Sequence, residues 1–310
     1  MGLCFSKPFE GNDPLGHIGS KLPVYVRLLE LCRKERWEVY VLTRKTYKGA
    51  GVFEGVWRFD RGNFEPVAKP VKIDLVYDRT GGVKFPRDND SLKVINRRDF
   101  KLVAWNKWQA YRMLAKFMPK TYWVGERKNL KKVLPKIKTG WVVLKPYNGM
   151  KGIGVFIGPK ERALRCRFSK KYPLYIAQEF VDTSGGIQGI TGGLHDLRVA
   201  IINEKPVWSH VRVPPKGSFK ANVAQGGEIM EVDYEMLPDM VRKIVKTVAK
   251  KFYKEFNNPQ YSLDFGVEKG GAKIFEINDQ IGFPKWEMKN REAFLKELVE
   301  SFKRGLQAKV

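Results

Sequence analysis

The feature that most constrains this chain is a glycine pattern opening on a lysine: Lys145, Pro146, Gly149, Gly152 and Gly154, in the order K-P-x-x-G-x-x-G-x-G. Apolar runs from Trp141 to Lys145 and from Ile153 to Ile157 flank it, so it reads as two strands joined by a glycine-rich turn. Glycines let backbone N–H groups approach a polyphosphate closely, and a lysine at the strand end adds a point charge. The spacing is neither that of a Walker loop nor that of a Rossmann loop, both of which open a helix. An ordinary glycine hairpin would satisfy the same residues, so the reading depends on what else the chain carries.

A second constellation lies more than a hundred residues on. Asp264 falls within Leu263-Asp264-Phe265-Gly266-Val267, and Glu276 and Asn278 fall within Phe275-Glu276-Ile277-Asn278. Strand side chains alternate, so Glu276 and Asn278 share a face, and a turn at Gly270 and Gly271 can bring Asp264 beside them. Three converging oxygen ligands suit Mg2+, with nucleotide phosphates and water completing the shell. The alternative for Asp264 is a solvent-facing position on an amphipathic strand.

Composition sets the outer bounds. With 310 residues, 43% of them hydrophobic and 13% aromatic, the chain can bury a core for two or three lobes, which excludes collagen, coiled coil and wholesale disorder. Cys4, Cys32 and Cys166 are too few and too scattered for a disulfide framework or a zinc site. No apolar stretch approaches the ~20 residues that span a bilayer, so a soluble, cytoplasmic protein without a membrane partner is expected. Met1 to Ser6 fits the loose M-G-x-x-x-S pattern for N-myristoylation, but Leu3 to Phe5 are needed for a first buried strand.

Residues 1 to 99 open as strand, helix, strand: Gly2 to Ser6, Leu22 to Leu31 and Glu38 to Thr43. Strand-like pieces from Gly51 to Phe59 and Asn63 to Val67 bracket a hairpin turn at Asp60-Arg61-Gly62. Ile73 to Tyr77 is a further buried strand ending in Asp78 and Arg79, and the Gly11 to Gly19 stretch is either a connecting loop or a cradle for a ligand. Beyond these come a helix capped by Asn106, a strand from Leu174 to Val181 and a hairpin over 197–213. A basic amphipathic helix from Asp239 to Phe256 and a last helix carrying Phe294, Leu298 and Phe302 complete the pattern.

From Asn106 to Pro284 the order and spacing of these motifs resemble the ATP-grasp superfamily of carboxylate–amine ligases, in particular the glutamate-ligase and glutathione-synthetase type. The first hundred residues resemble the α/β domain that precedes the ATP-grasp pair. The resemblance implies an α/β and α+β fold: an N-terminal α/β pre-ATP-grasp domain over 1–100, a central ATP-grasp lobe with the glycine-rich loop over 101–181, and a C-terminal lobe with the metal site over 182–310.

Residue by residue, the resemblance implies that Lys107 and Lys145 contact the phosphates of ATP and that Gly149, Gly152 and Gly154 close over them. Gln178, Glu179 and Val181 match the hinge strand that holds adenine, and Asp182 is the acid in position to meet the ribose. Asp196 and Arg198 match the D-x-R element, while Arg212, Asn222 and Gly226-Gly227 match the substrate-facing arginine and the loop after it. Asp264, Glu276 and Asn278 match the ligands of one or two Mg2+ ions, with Mn2+ as an alternative. The connection from Asp182 to His195 departs from compact relatives by being longer and richer in glycine.

Such a site would join a substrate carboxylate to an amine through an acylphosphate, releasing ADP and phosphate. That chemistry needs positioning and charge neutralisation, which Lys107, Lys145, Arg198, Arg212 and the metal would supply. No Ser/His/Asp or Cys/His set competes for it; His17, His195 and His210 read as structural, with His195 nearest to an active-site role. The formal charge of +25 includes basic clusters at Arg127 to Lys138 and Arg162 to Lys171. An amino acid, a peptide or an acidic carrier is the expected co-substrate. A non-catalytic binder of nucleic acid or acidic polypeptide is the competing class, although no zinc spacing or aromatic RNA motif supports it. The five glycines between Asp182 and His195 are expected to order only around an extended substrate.

Overall fold

In the computed structural model, which describes residues 1–9, 11–83, 85, 92–150, 152–215, 217–219 and 228–308, three large sheets follow one another along the chain, and the strands of a small sheet are interleaved in sequence with those of the first. The first sheet contains β1 (Gly2–Phe5), β2 (Val39–Thr43), β5 (Val56–Asp60), β6 (Asn63–Val67), β8 (Val76–Arg79) and β9 (Val94–Ile95), in the order β6-β5-β2-β1-β8-β9. β1 is parallel to both β2 and β8, and α1 (Leu22–Lys34) makes the crossover from β1 to β2. All four residues of β1 are buried because both faces are covered, which is why the strand is a plain apolar run. Leu3 and Phe5 face α1, whereas Cys4 lies with Leu42 and Phe53 on the side of a small sheet made by β3 (Tyr47–Gly49), β4 (Val52–Phe53) and β7 (Val71–Lys72). The run expected as one strand from Gly51 to Phe59 breaks in two at Gly55, whose φ is 68°.

The second sheet comprises β10 (Thr121–Gly125), β11 (Trp141–Pro146), β12 (Phe156–Pro159) and β13 (Tyr175–Glu179), antiparallel in the order β10-β13-β11-β12 and flanked by the single-turn helices α4 (Leu130–Val133) and α5 (Lys160–Ala163). Two helices precede it. α2 (Arg98–Trp105) ends at Asn106, whose side chain accepts hydrogen bonds from the backbone N–H groups of Trp108 and Gln109 and so caps α3 (Lys107–Leu114).

The third sheet positions the polar residues. It runs β16-β15-β14-β17-β18, all antiparallel, from β14 (Asp196–Ile202), β15 (Lys205–Val213), β16 (Glu228–Val232), β17 (Gln260–Glu268) and β18 (Gly271–Asn278). Leu197, Val199 and Ile201 of β14, with Tyr261, Leu263 and Phe265 of β17, point to one face, where the apolar stripe of α6 (Asp239–Phe256) covers them. The intervening residues face the other way. At one end of that face Ala200, Ile202 and Trp208 pack against α7 (Arg291–Gln307) and the first sheet; at the other end the same alternation delivers Asp196, Arg198, Arg212 and Asp264 into a cleft. A bulge between Asp264 and Phe265 shifts the pairing of β17 with β18, so Phe275 as well as Glu276 reaches the cleft. The ring of Phe275 crosses Gly266, where a Cβ would stand 2.1 Å from it.

A buried ion pair closes the junction of the first sheet with the rest. Lys101 of α2, fully buried, donates to Asp78 of β8 and stands 4.0 Å from Asp279, which directly follows β18. Removing one member of a buried pair strands the other charge, at a cost of about 3–5 kcal/mol. Lys101→Met should therefore lower the unfolding free energy in urea by about that amount, and adding Asp78→Asn should recover part of the loss. Equal stability of the single variant and the parent would show the pair to be dispensable.

Candidate active site

Strand register assembles the site from residues far apart in sequence. Across the third sheet Glu231, His210, Arg198, Asp264 and Glu276 stand directly opposite one another in turn, one from each strand. Asp196 faces Arg212 in the neighbouring row. Arg198 binds Asp264 bidentately, with Nε to Oδ1 at 2.6 Å and Nη2 to Oδ2 at 2.7 Å, and Arg212 adds a bond at 3.0 Å to Oδ2 as well as one to Asp196. Burial alone would raise the pKa of Asp264, but Arg198 and Arg212 hold it well below the usual carboxylate range. Asp196 goes the other way, raised by burial and by the charge of Asp264.

The two expected lysines meet this row from opposite walls. Lys107, at the start of α3, donates to the carbonyl of Gly149 at 2.7 Å and forms an ion pair with Glu276 Oε1 at 2.8 Å. Lys145, at the end of β11 and 8% exposed, donates to Gln178 Oε1 at 2.7 Å and to the Phe275 carbonyl at 3.0 Å. Gln178 is fixed in turn by its bond to Thr121 Oγ1 at 2.8 Å. The Tyr175 hydroxyl donates to the Gly154 carbonyl at 2.9 Å and anchors the far end of the glycine loop. Gly154 has φ 75°, and a Cβ there would lie 2.5 Å from that hydroxyl oxygen.

Between these walls lies a cavity of about 470 Å³, within the range of small-molecule sites. Lys107, Lys145, Gly149, Gly152, Gln178, Glu179, Val181, Arg198, Arg212, Asp264, Glu276 and Asn278 all line it. Val143, Ile157, Val181 and Phe275 give the lining apolar surface of the kind a planar base packs on. Gly154, at the far end of the loop, does not line the cavity, and Asp182 is exposed outside the lining, with its carboxylate accepting from the Ser184 N–H at 2.9 Å. Asn222, Gly226 and Gly227 lie outside the described residues.

The segment from Asp182 to His195 differs from expectation. Ile187 is buried in the core under the third sheet, its N–H bonds the Thr191 carbonyl at 2.8 Å, and Gly186 adopts φ 73° where a Cβ would lie 2.3 Å from the Thr191 carbonyl oxygen. The glycines thus make tight turns around an apolar anchor and order the segment without a ligand. His195 lines the cavity but is fully engaged: Nδ1 faces the Gly193 carbonyl at 3.1 Å and Nε2 accepts from the Val267 N–H at 3.2 Å. Gln178 as the brace of Lys145, and Phe275 as its carbonyl partner, were not visible as such in the sequence. The alternating polar position in an otherwise apolar β13 was the only signal for the first, and the bulge that exposes the second leaves none.

Asp264, Glu276 and Asn278 offer two carboxylates and an amide, with Asn278 Nδ2 at 3.2 Å from Asp264 Oδ2. Among the described residues no three His, Cys, Asp or Glu side chains form a set that could hold a metal ion. Both Asp264 oxygens are taken by Arg198 and Arg212 and Asn278 turns its amide nitrogen toward them, so Glu276 is the acid best placed for Mg2+, and the other two would join its shell, with phosphate oxygens, only by exchanging these contacts.

A profile of the RimK-like ATP-grasp domain matches residues 104–301. The chain belongs to that family. It is 25% identical over 198 residues to a "Probable alpha-L-glutamate ligase" of Pasteurella multocida; the match covers 62% of this chain and spans only 58% of that relative's length. Among solved structures, D-alanyl-alanine synthetase A from Vibrio cholerae superposes with a TM-score of 0.65 at 13% identity, covering 99% of this chain and 98% of that one. The ATP-grasp ligase PsnB, complexed with a phosphomimetic variant of its minimal precursor, Mg and ADP, gives a TM-score of 0.55 at 13% identity, covering 97% and 98%. These likenesses establish the ATP-grasp fold over nearly the whole chain.

Burial pulls Lys145 down to about 8, with Glu276 opposing the shift and Lys107 adding to it. Between about 8 and the ordinary lysine value of 10.5 the unfolded chain holds a proton that the folded one has released, so the penalty of burying this charge, full below pH 8, is relieved as pH rises through that window. A bound polyphosphate would favour the charged form. Titrating ATP near pH 9 in buffers of different ionisation enthalpy should show uptake of about one proton per site, lost in Lys145→Met. Proton-neutral binding by the parent would separate Lys145 from the phosphates.

Proposed function

We propose that this protein is an ATP-dependent ligase that joins a carboxylate to an amine through an acylphosphate, releasing ADP and phosphate. The observation that carries the reading is Lys107, which touches at once the glycine loop, through the Gly149 carbonyl, and the carboxylate of Glu276. A phosphate-binding lysine, a closing loop and a candidate metal carboxylate thus converge at one end of the cavity. In this reading Lys107 exchanges Glu276 for the phosphates of ATP, and Lys145, braced by Gln178, neutralises a second phosphate. Arg198 and Arg212 keep Asp264 anionic and hold a fixed positive edge toward the carboxylate being activated. Asp264, Glu276 and Asn278 would hold Mg2+, which supplies charge neutralisation for the transferring phosphoryl group. The relative's name supports glutamate as the amine substrate, and the cationic surroundings of the cleft agree with an acidic amino acid.

The test is incubation with ATP, Mg2+, glutamate and a pool of carboxylates and peptides, reading ADP and new amide masses together. Glu276→Gln and Lys107→Met should each lower turnover by roughly 10²-fold or more while leaving the fold intact. AMP and pyrophosphate as products, or amide formation undiminished in both variants, would refute the reading.

A further inference from the structure

Next to the cleft, behind Gly81 and Gly82 of its lining, lies positive charge that the ligase reading has not used. In the first sheet the chain leaves β1 for β2 on one side and later places β8 on the other, so the carboxyl ends of β1 and β8 border a topological switch point. Open α/β sheets bind ligands in the crevice at such a point. Here that crevice is furnished with cations. Arg79 is the last residue of β8, and Lys21 is the residue that precedes α1, whose first N–H groups carry the positive end of the helix dipole.

Aromatic rings pre-set both side chains. The Arg79 guanidinium lies 5.1 Å from the Phe283 ring centroid and 5.3 Å from that of Tyr77, with Nη1 donating to the Tyr77 hydroxyl at 3.2 Å and Nε buried without a partner. Lys21 Nζ donates to the Phe283 carbonyl at 2.8 Å, which leaves two of its three protons for a ligand. Among the described residues no carboxylate forms an ion pair with either; Asp279, which feels the charge of Arg79, stands 4.0 Å from Lys101. The third sheet adds His210, 3% exposed, whose Nδ1 has no partner and which stands opposite Arg198 in the strand register. Burial and the charges of Arg79, Arg198 and Lys285 pull Lys21 down to about 8, the response of a cation crowded by cations.

We propose that Lys21 and Arg79, with His210 beside Arg198, form a subsite for a carboxylate of the amine substrate, so that the N-terminal sheet reads the acidic end of that molecule while its amino group faces the activated carboxylate. The inference rests on the ligase reading for the identity of the molecule but not for the existence of the site. Scale supports it: Glu276 and His210 stand three strand positions apart, about 14 Å at the spacing of a sheet, with Arg198 between them. That length accommodates a phosphoryl group at one end and an amino dicarboxylate reaching toward the other. Phosphate is the less suitable occupant, since the phosphate contacts of Lys107 and Lys145 lie on the far side of Asp264.

The probe is glutarate, which has two carboxylates and no amine and so cannot act as nucleophile. Calorimetric titration of the full chain should detect glutarate but not glutaramide, and Lys21→Met and Arg79→Met should each weaken glutarate by about tenfold or more while ATP affinity stays at the parent value. Lys21→Met changes a partly exposed side chain and keeps the test available should Arg79→Met fail to fold. If amide forms in the activity assay but both variants bind glutarate as the parent does, or if the parent does not distinguish glutarate from glutaramide, the subsite is refuted and the ligase reading stands. If no amide forms with any amine yet the variants still lose glutarate, the ligase reading falls and the carboxylate subsite stands.

Discussion

The site depends on the charge balance around Asp264. A carboxylate this deeply buried survives as an anion because three hydrogen bonds from two guanidinium groups, with one from Asn278, compensate its desolvation, and those guanidiniums are themselves largely buried. Arg212 shares its charge with Asp196, which couples two adjacent rows of the sheet. The strands beneath bring α6 and its apolar stripe to the opposite face, so the network is clamped onto a rigid floor. Everything that must be placed accurately for phosphoryl transfer hangs from this floor or leans against it. Glu276 stands next to Asp264 in the register, Asn278 donates to it, and Lys145 is tied to the same strand by the Phe275 carbonyl.

Against the floor stands the four-stranded lobe that carries the glycine loop, whose buried apolar cluster is separate from that of the floor. Lys107 and Lys145 join the two, and both are cations whose present partners are two carbonyls, a carboxylate and an amide. A polyphosphate could replace these partners with stronger, charge-assisted ones, so nucleotide would exchange one set of lobe contacts for another instead of entering a finished pocket. The same lobe has fourteen Lys and Arg between Thr121 and Tyr172 against only Glu126 and Glu161, about half of the surplus charge of the chain. Most of these side chains are exposed, and they give the outer face of the lobe a field that attracts anions over about a Debye length.

Much of this was legible because it depends on local pattern. Asn106 announces a cap and makes one; Arg61-Gly62 announces a two-residue hairpin turn, and both residues have positive φ. The acidic positions of β17 and β18 stood out because they interrupt apolar alternation, and the alternation itself puts them on one face. What was hidden depends on pairing between distant strands. That Arg198 would commit its guanidinium to Asp264 requires β14 to lie beside β17 in a given register, and nothing in either strand alone specifies that. The short strands β9, β10 and β16 escaped notice because two to five residues carry too little periodicity. The glycine-rich stretch after Asp182 misled for a physical reason: composition suggested looseness, whereas Ile187 anchors it and the glycines supply the turns that anchoring demands.

The central claim is that the cleft activates a carboxylate by giving it the terminal phosphoryl group of ATP. That event leaves an atomic record, since the phosphate released on amide formation keeps one oxygen from the carboxylate. Once the mass of the amide product identifies the carboxylate substrate, the reaction is repeated with its carboxyl oxygens labelled with 18O, and the phosphate is examined by mass spectrometry. The account predicts one labelled oxygen in each phosphate released with amide. Unlabelled phosphate accompanying an equal yield of amide would contradict it.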